Sequence, residues 1–152
     1  MENNSLALWQ IYQTARFSQF SHNSRTNRVL VVLSVWNAHG KTSSAIQNRK
    51  LAACISALLR KRGIQFQTLW GGSENMCYRE LTFAFYVSNT TDAYIFARRA
   101  KQKAFYIVKN RKLILCATNK RYLPKTLGNV KEYLVSVPKR RLTYAKNQAI
   151  AE

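Results

Sequence analysis

The feature that most constrains the fold of this chain is the segment RVLVVLSVW, residues 28–36, which is almost continuously apolar. Its β-branched residues favour an extended strand. Side chains alternate between the two faces of a sheet, so an apolar run without polar alternation predicts a strand that is buried on both faces. We therefore expect this segment to be a central strand of the sheet.

An amphipathic helix is predicted after this strand and a polar turn. Ser44 and Gln47 have the spacing of a capping box, in which each side chain bonds the backbone N–H of the other residue. Arg60 to Arg62 stand in the last turn, where the helix dipole favours cations, and Gly63 can adopt the left-handed C-terminal conformation. The apolar face of this helix comprises Ile46, Leu51, Ile55, Leu58 and Leu59.

Shorter patterns complete the predicted element order. Strand-like segments are IQFQTLW (64–70) and CYRELTFAFYVS (77–88), and a hairpin joins AFYIV (104–108) to KLILCAT (112–118). Residues 90–92 are expected to cap a second helix, whose apolar stripe consists of Ala93, Phe96, Ala97 and Ala100. Residues 5–20 predict a further helix with Ser5 as its N-cap, and residues 132–137 predict a short strand.

The order strand–helix–strand–strand–helix–strand predicts an α+β fold. We expect a ferredoxin-like (split βαβ) two-layer sandwich with both helices on one face, an added N-terminal helix and a basic C-terminal tail. Residues 1–28 would form the N-terminal helix and linker, residues 29–118 the core domain and residues 119–152 the basic extension. The hydrophobic share of 47% is enough to build a core.

The charge of the chain is strongly unbalanced, with 25 Lys and Arg against 6 Asp and Glu and a net charge of +19. Such a chain repels itself and attracts polyanions. We therefore expect a small, non-enzymatic protein that binds DNA, RNA or another polyanion mainly through phosphate contacts. Tyr106, Tyr122 or Tyr144 would be exposed and could stack on bases. The basic candidates are Arg98, Arg99, Lys101, Lys103, Lys109, Arg111, Lys112, Lys120, Arg121, Lys139, Arg140 and Arg141.

The turn that contains Gly40, Lys41 and Thr42 raises the question of a phosphate-binding loop. A P-loop needs a glycine five positions before its Gly-Lys pair, because that glycine lets the backbone wrap the phosphate. Val35 stands at this position, and Asp92 is the only Asp in the chain. The spacing therefore excludes a nucleotide-hydrolysing loop, although the helix start beside Lys41 could still hold an anion.

A second functional hypothesis rests on polar side chains at strand and helix ends, namely Asn37, Lys41, Asn48, Glu80 and Gln102. If the strand that ends at Asn37 neighbours the strand that begins at Glu80, these groups meet near the helix start. There Glu80 would accept bonds from helix N–H groups and from Lys41, which favours its ionised form. The set would then form a small pocket for a ligand or an enzyme reaction. Alternatively, it only caps helices and satisfies strand ends.

These polar residues also carry a resemblance. Asn37-Ala38-His39-Gly40, then Ser44 to Asn48, then Glu80-Leu81-Thr82-Phe83, then Gln102-Lys103-Ala104 resemble the Asn-Pro-x-Gly, early-helix Asn, Glu-x-Ser-Phe and Gln-x-Ala motifs of a bacterial family. That family is a domain of unknown function, number three thousand two hundred and ninety-three. The resemblance covers roughly residues 30–117, with Ala38 in place of the proline and Thr82 in place of the serine. It implies a fold rather than an activity.

Other function classes have little support in the sequence. No HExxH or paired-cysteine spacing predicts a zinc site, and no spacing supports a nucleophilic pair of His39 and Cys77. We expect Cys54, Cys77 and Cys116 to be buried, reduced thiols, and we expect no metal and no cofactor. No apolar run reaches the ~18 residues of a membrane span, and no secretory signal begins the chain, so a cytoplasmic protein is expected. An acidic protein partner is a third alternative for the basic surface.

Overall fold

The computed structural model describes residues 2–23 and 25–137. Helices are α1 (Glu2–Tyr12), α2 (Ala45–Lys61) and α3 (Thr90–Arg99). Strands are β1 (Arg16–Phe17), β2 (Val29–Ser34), β3 (Phe66–Gly72), β4 (Arg79–Val87), β5 (Ala104–Lys109), β6 (Lys112–Ala117) and β7 (Lys125–Asn129). Short 3-10 turns cover Ala38–Gly40 and Val130–Tyr133.

The strands form one curled, antiparallel sheet, so the expected α+β class is confirmed. Within the described residues the order is β1-β3-β4-β2-β5-β6-β7. Strand β2 lies at its centre and pairs with β4 on one side and β5 on the other. Val31, Val32 and Leu33 have no exposed surface, which confirms burial of this strand on both faces.

Helices α2 and α3 cover one face of the sheet. Their apolar side chains pack against alternate residues of the central strands, such as Val31 and Leu33 of β2. The capping box of Ser44 and Gln47 forms as predicted, and Gly63 has a φ of +69° just beyond the end of α2. In α3 the side chain of Asn89 caps the helix by accepting from the Asp92 N–H, so the cap precedes the expected residues by one position.

The opposite face of the sheet is also packed, which differs from the expected two-layer sandwich. Trp9 of α1 and Phe17 of β1 pack there with Leu30, Val32 and Tyr106. Strands β1 and β7 come from the segments that flank the predicted core, yet both join the same sheet. The larger sheet has a second apolar face to bury, and α1 supplies much of its cover.

The N-terminal helix is shorter than predicted. It ends at Tyr12, and Phe17 and Phe20 are buried outside it, because Phe17 pairs with Gly71 at the sheet edge. Phe17 and Phe20 have a loosely helical spacing in the sequence, but the chain there forms a turn and then an extended segment. The predicted strand at residues 132–137 is also wrong: the chain forms the 3-10 turn Val130–Tyr133, and Leu134 then makes a single bridge to Phe17.

The prediction of three buried thiols holds only for Cys116. Cys54 lies on the outer surface of α2 and Cys77 on the loop before β4, and both are exposed. Burial raises the pKa of the Cys116 thiol to about 11, so this thiol is a poor nucleophile. Among residues 2–23 and 25–137, no helix has both the length and the apolar character of a membrane span.

Candidate functional site

A cavity of about 650 Å³ lies between α1 and the face of the sheet that α1 covers. Leu8, Ile11 and Tyr12 of α1 form one wall, while Val32 and Tyr106 of the sheet lie on another. The cavity has a polar end where β2 ends, β4 begins and β5 begins. The polar groups there include Ser34, Asn37, Tyr78, Glu80 and Gln102.

Glu80 occupies this end because β4 alternates. Leu81 and Phe83 pack toward α2 and α3, so Glu80 and Thr82 project to the face that carries the cavity. The Glu80 carboxylate accepts from the Tyr78 hydroxyl at 2.8 Å and from the Ser34 hydroxyl at 2.7 Å. Burial nevertheless raises the pKa of Glu80, against these hydrogen bonds, which lower it. The expectation of a favoured ionised form is therefore wrong in its net direction.

Asn37 holds the turn that closes the polar end. Its φ of 54° is left-handed, a conformation that Asn adopts more readily than most residues. The Asn37 backbone N–H donates to Asn48 Oδ1 at 2.8 Å, and Asn48 Nδ2 donates to Asn37 Oδ1 at 3.2 Å. Asn37 Nδ2 in turn donates to the Tyr78 hydroxyl at 2.6 Å. A hydrogen-bonded chain thus runs from Asn48 of α2 through Asn37 and Tyr78 to Glu80.

Gln102 joins the site from the segment between α3 and β5. Its Nε2 donates to the carbonyl of Trp36 at 2.8 Å and to that of Ala100 at 3.1 Å. Because two carbonyls face the nitrogen, the orientation of the amide is fixed. The side chain therefore ties β5 to the end of β2 and presents Oε1 as an acceptor.

Aromatic hydroxyls flank the carboxylate from three directions. The Tyr106 hydroxyl donates to the backbone carbonyl of Tyr12, which joins β5 to the end of α1. Burial raises the pKa of Tyr12, Tyr78 and Tyr106, and the nearby Glu80 charge raises all three further. These tyrosines therefore stay neutral across the range in which a carboxyl group titrates.

Lys41 does not join the site. It is exposed and lies outside the residues that line the cavity. The 3-10 turn that starts after Asn37 carries the chain away from Glu80 before α2 begins. Side chains also bond two N–H groups at the start of α2: Ser44 Oγ accepts the Gln47 N–H, and Asn37 Oδ1 accepts the Ser43 N–H just before the helix. Fewer donors therefore remain there for an anion.

The structure therefore brings together four of the five predicted pocket residues, three as lining and Asn48 behind Asn37. Sequence reasoning missed Tyr78, Ser34 and Tyr12. Tyr78 precedes the alternating strand and Ser34 interrupts an apolar run, so period-two alternation was the only available signal for them. No sequence signal placed Tyr12, because its position depends on how α1 docks.

The described basic candidates are exposed, but they fall into two groups at opposite ends of β5. The register of β5 and β6 separates the groups by roughly 17 Å of strand. The first group, near the polar end of the cavity, comprises Arg98, Arg99, Lys101, Lys103, Lys120 and Arg121. The second group, at the hairpin, comprises Lys109, Arg111 and Lys112. Lys139, Arg140 and Arg141 lie outside the described residues.

The hairpin group adjoins a polar cleft of about 190 Å³ that the sequence did not indicate. Arg28, Lys109 and Arg111 line this cleft together with His22 and Tyr86. The guanidinium of Arg28 lies over the Tyr86 ring, 5.7 Å from its centroid. No carboxylate lines the cleft within the described residues, so its electrostatic potential favours anions.

Two of the three aromatic residues proposed for base stacking are not available as expected. Tyr106 is buried on the sheet, and its hydroxyl is used within the fold. Tyr122 is half-buried and stacks on Trp9 with 4.8 Å between ring centroids. Tyr144 lies outside the described residues, so stacking by its ring stays a prediction.

Within the described part of the chain, no group of three or more His, Cys, Asp and Glu is placed to hold a metal ion. Comparison with protein-family models, curated proteins and solved structures gave no match.

Proposed function

We propose that the protein binds a small organic molecule in the cavity between α1 and the sheet. The observation that carries this proposal is a space of about 650 Å³ with largely apolar walls and a cluster of hydrogen-bonding groups at one end. Ligand sites typically have a volume of about 300–1,000 Å³ and combine an apolar lining with a few placed polar groups. An enzymatic reaction at the same site is a narrower form of this proposal.

The polar groups of the site are held before any ligand arrives. Asn37, Tyr78, Ser34 and Glu80 are linked by hydrogen bonds of 2.6–2.8 Å. Side chains fixed in this way lose little entropy on binding, which supports recognition of a specific head group.

A cavity-filling variant tests the proposal. A fragment library is screened by thermal shift and ligand-observed nuclear magnetic resonance against the full chain. Ala104→Leu places extra volume in the lining, while Ala53→Leu adds the same volume on the exposed surface of α2. Hits that bind the wild type and Ala53→Leu but not Ala104→Leu are expected. Equal binding to all three proteins would contradict a ligand site in this cavity.

Binding of nucleic acid through the basic surface is a second candidate function. It is supported by the net charge of +19 and by the exposed basic group that borders the acid-free cleft at Arg28, Lys109 and Arg111. Phosphate contacts alone give non-specific binding whose logarithm falls with log salt by about 0.7–0.9 per neutralised phosphate. An acidic protein partner would use the same charges.

Mobility shift with single- and double-stranded DNA and RNA over a salt series tests this candidate. Reversing the hairpin group with Lys109→Glu and Arg111→Glu should weaken binding and flatten the salt slope. Lys50→Glu with Lys61→Glu, at two exposed positions of α2, is the control of equal charge change outside both basic groups. Binding that is insensitive to salt would contradict the proposal. An equal loss of nucleic-acid affinity in both variants would show that the cleft is not the binding site.

We also infer a finer fold assignment, a split βαβ (ferredoxin-like) unit formed by β2–α2–β3–β4–α3–β5. The antiparallel order β3-β4-β2-β5 and the packing of both helices on one face support it.

We also propose that the chain is a member of the bacterial family of unknown function described above. It is supported by the clustering of Asn37, Asn48, Glu80 and Gln102, one residue from each quoted motif. Within the described residues no disulfide joins Cys54, Cys77 or Cys116, which fits a reducing, cytoplasmic location.

A further inference from the structure

The charge of the cavity lining is opposite to the charge of the chain. The sequence has 25 Lys and Arg against 6 Asp and Glu. Nevertheless, the lining contains Glu74 and Glu80 and, within the described residues, no Lys, Arg or His. Basic side chains therefore lie outside the described lining, and both charged side chains within it are carboxylates.

The hydrogen-bonding capacity of the polar end consists mainly of acceptors. A carboxylate has about four acceptor directions; on Glu80 the hydroxyls of Tyr78 and Ser34 use two of them, and the Asn37 side chain contributes a further hydrogen bond. Nε2 of Gln102 is committed to two carbonyls, which leaves Oε1 as an acceptor. Asn37 Oδ1 already accepts two hydrogen bonds, from the Ser43 N–H and from Asn48 Nδ2. It is therefore not a free acceptor for a ligand. A complementary ligand must supply donors.

The remainder of the lining is apolar and partly aromatic. Phe17, Val32 and Tyr106 stand along the sheet, and Leu8 and Ile11 face them from α1. Burial of an apolar ligand body there would contribute a favourable binding free energy of about 25 cal/mol for each Å² of apolar surface removed from water. The two ends of the cavity therefore select two different parts of one ligand.

We propose that the ligand of this cavity is an organic cation, with a protonated amino head that bonds Glu80 and an apolar, ring-sized body that lies against α1. This inference rests on the proposed ligand site and narrows it to one chemical class. The same two carboxylates disfavour phosphates and carboxylates at the lining. The exposed Glu74 at the cavity lining attracts the cation, and the half-buried Glu80 binds it.

Three indole compounds with matched bodies test the proposal by calorimetry on the full chain. Tryptamine carries an ammonium head, tryptophol a hydroxyl and indoleacetate a carboxylate. Tryptamine should bind about tenfold to hundredfold more tightly than tryptophol, which is the ratio that a charge-assisted hydrogen bond supports. Indoleacetate should bind more weakly than tryptophol.

Variants of the two carboxylates identify the group responsible. Glu80→Gln should abolish the preference for tryptamine over tryptophol while it retains tryptophol binding, whereas Glu74→Gln should leave most of the preference. The Ala104→Leu block should prevent binding of all three compounds.

Failure of the inference is distinguishable from failure of the ligand site. Equal affinity for tryptamine and tryptophol, or tighter binding of indoleacetate, would overturn the cation proposal but keep the cavity as a ligand site. Unchanged tryptamine preference in Glu80→Gln would also overturn it. Binding that survives the Ala104→Leu block would instead refute the site itself.

Discussion

At the residue scale, the pairing of Asn37 with Asn48 links the start of α2 to the end of β2. Both side chains are buried, and the Asn37 backbone N–H has Asn48 Oδ1 as its acceptor. A buried donor that loses its acceptor costs its full desolvation energy, whereas an exposed side chain costs little to remove. The two amides therefore stabilise a left-handed turn that local propensity alone would leave weak.

Asn48→Ala should lower the free energy of unfolding by about 1–3 kcal/mol, because it leaves the Asn37 N–H and Oδ1 without this partner. Urea denaturation measures the change. Lys50→Ala, an exposed position on the same helix, is the control and should change stability by less than about 0.5 kcal/mol. Equal effects of the two substitutions would show that the buried pair has no special role.

The direction of the Glu80 pKa shift predicts a pH dependence of stability. Burial raises this pKa in the folded chain above its unfolded value, so the folded state binds the proton more tightly. The stability that results is present below the unfolded pKa and is lost as the pH rises through the folded pKa. We expect the unfolding free energy of the wild type, relative to Glu80→Gln, to fall across that window.

Chemical denaturation of both proteins at a series of pH values measures this difference. Tyr12, Tyr78 and Tyr106 face Glu80 and remain neutral in the window, because burial raises their pKa values as well. The titration is therefore that of the carboxyl group. A constant difference, or one that grows with pH, would contradict a raised pKa of Glu80 in the folded chain.

At the element scale, features that depend on residues close together in the sequence could be predicted. Features that depend on how helices and strands dock on one another could not. The capping box of α2, its terminal glycine and the apolar run of β2 are local, and all three appear in the structure. Strand alternation placed Glu80 on the correct face. Lys41 was misplaced because the left-handed residues Asn37 and His39 redirect the turn. The wall that α1 adds to the cavity depends on contacts between residues 94 and 117 positions apart.

The β3–β4 hairpin depends on a glycine at its end. A Cβ at Gly72 would lie 1.9 Å from the Tyr78 carbonyl oxygen, whereas a Cβ at Gly63 would meet nothing within 4 Å. Gly72→Ala should therefore cost more than about 3 kcal/mol through overpacking. Gly63→Ala should cost only about 1 kcal/mol, because its φ of +69° is the sole penalty. Thermal denaturation of the pair separates steric from conformational cost, and equal costs would contradict the predicted clash.

Helix α1 is held on the sheet chiefly through Trp9, which stacks on Tyr122. Trp9→Ala should release α1, so amide exchange in residues 5–12 should rise sharply while β2 and β4 stay protected. Leu6→Ala is the matched control, since Leu6 is 47% exposed on the same helix. Uniform loss of protection over the whole sheet would show that α1 is part of the central cooperative unit instead.

At the scale of the whole molecule, the net charge of +19 opposes the compact state. Raising the ionic strength from about 0.01 M to about 0.1 M shortens the Debye length from about 30 Å to about 10 Å. The melting temperature should therefore rise with sodium chloride. Sodium sulfate at equal ionic strength should raise it further if the cleft at Arg28 and Arg111 binds oxyanions. A melting temperature that falls with salt would show that attractive pairs dominate.

The bond from Tyr106 to Tyr12 has a consequence for the order of folding. Its two residues are 94 positions apart, so the Tyr12 carbonyl lacks this donor until β5 has emerged from the ribosome. During synthesis the central strands can pair with one another before α1 docks. The docking of α1 on β5 closes a long loop, and the entropy cost of closing a loop rises with its length. The α1 wall of the cavity is consequently made by residues that precede the sheet in the chain, and it is completed only after β5 has been translated. Any molecule retained there would act on the final step of folding rather than on its nucleus.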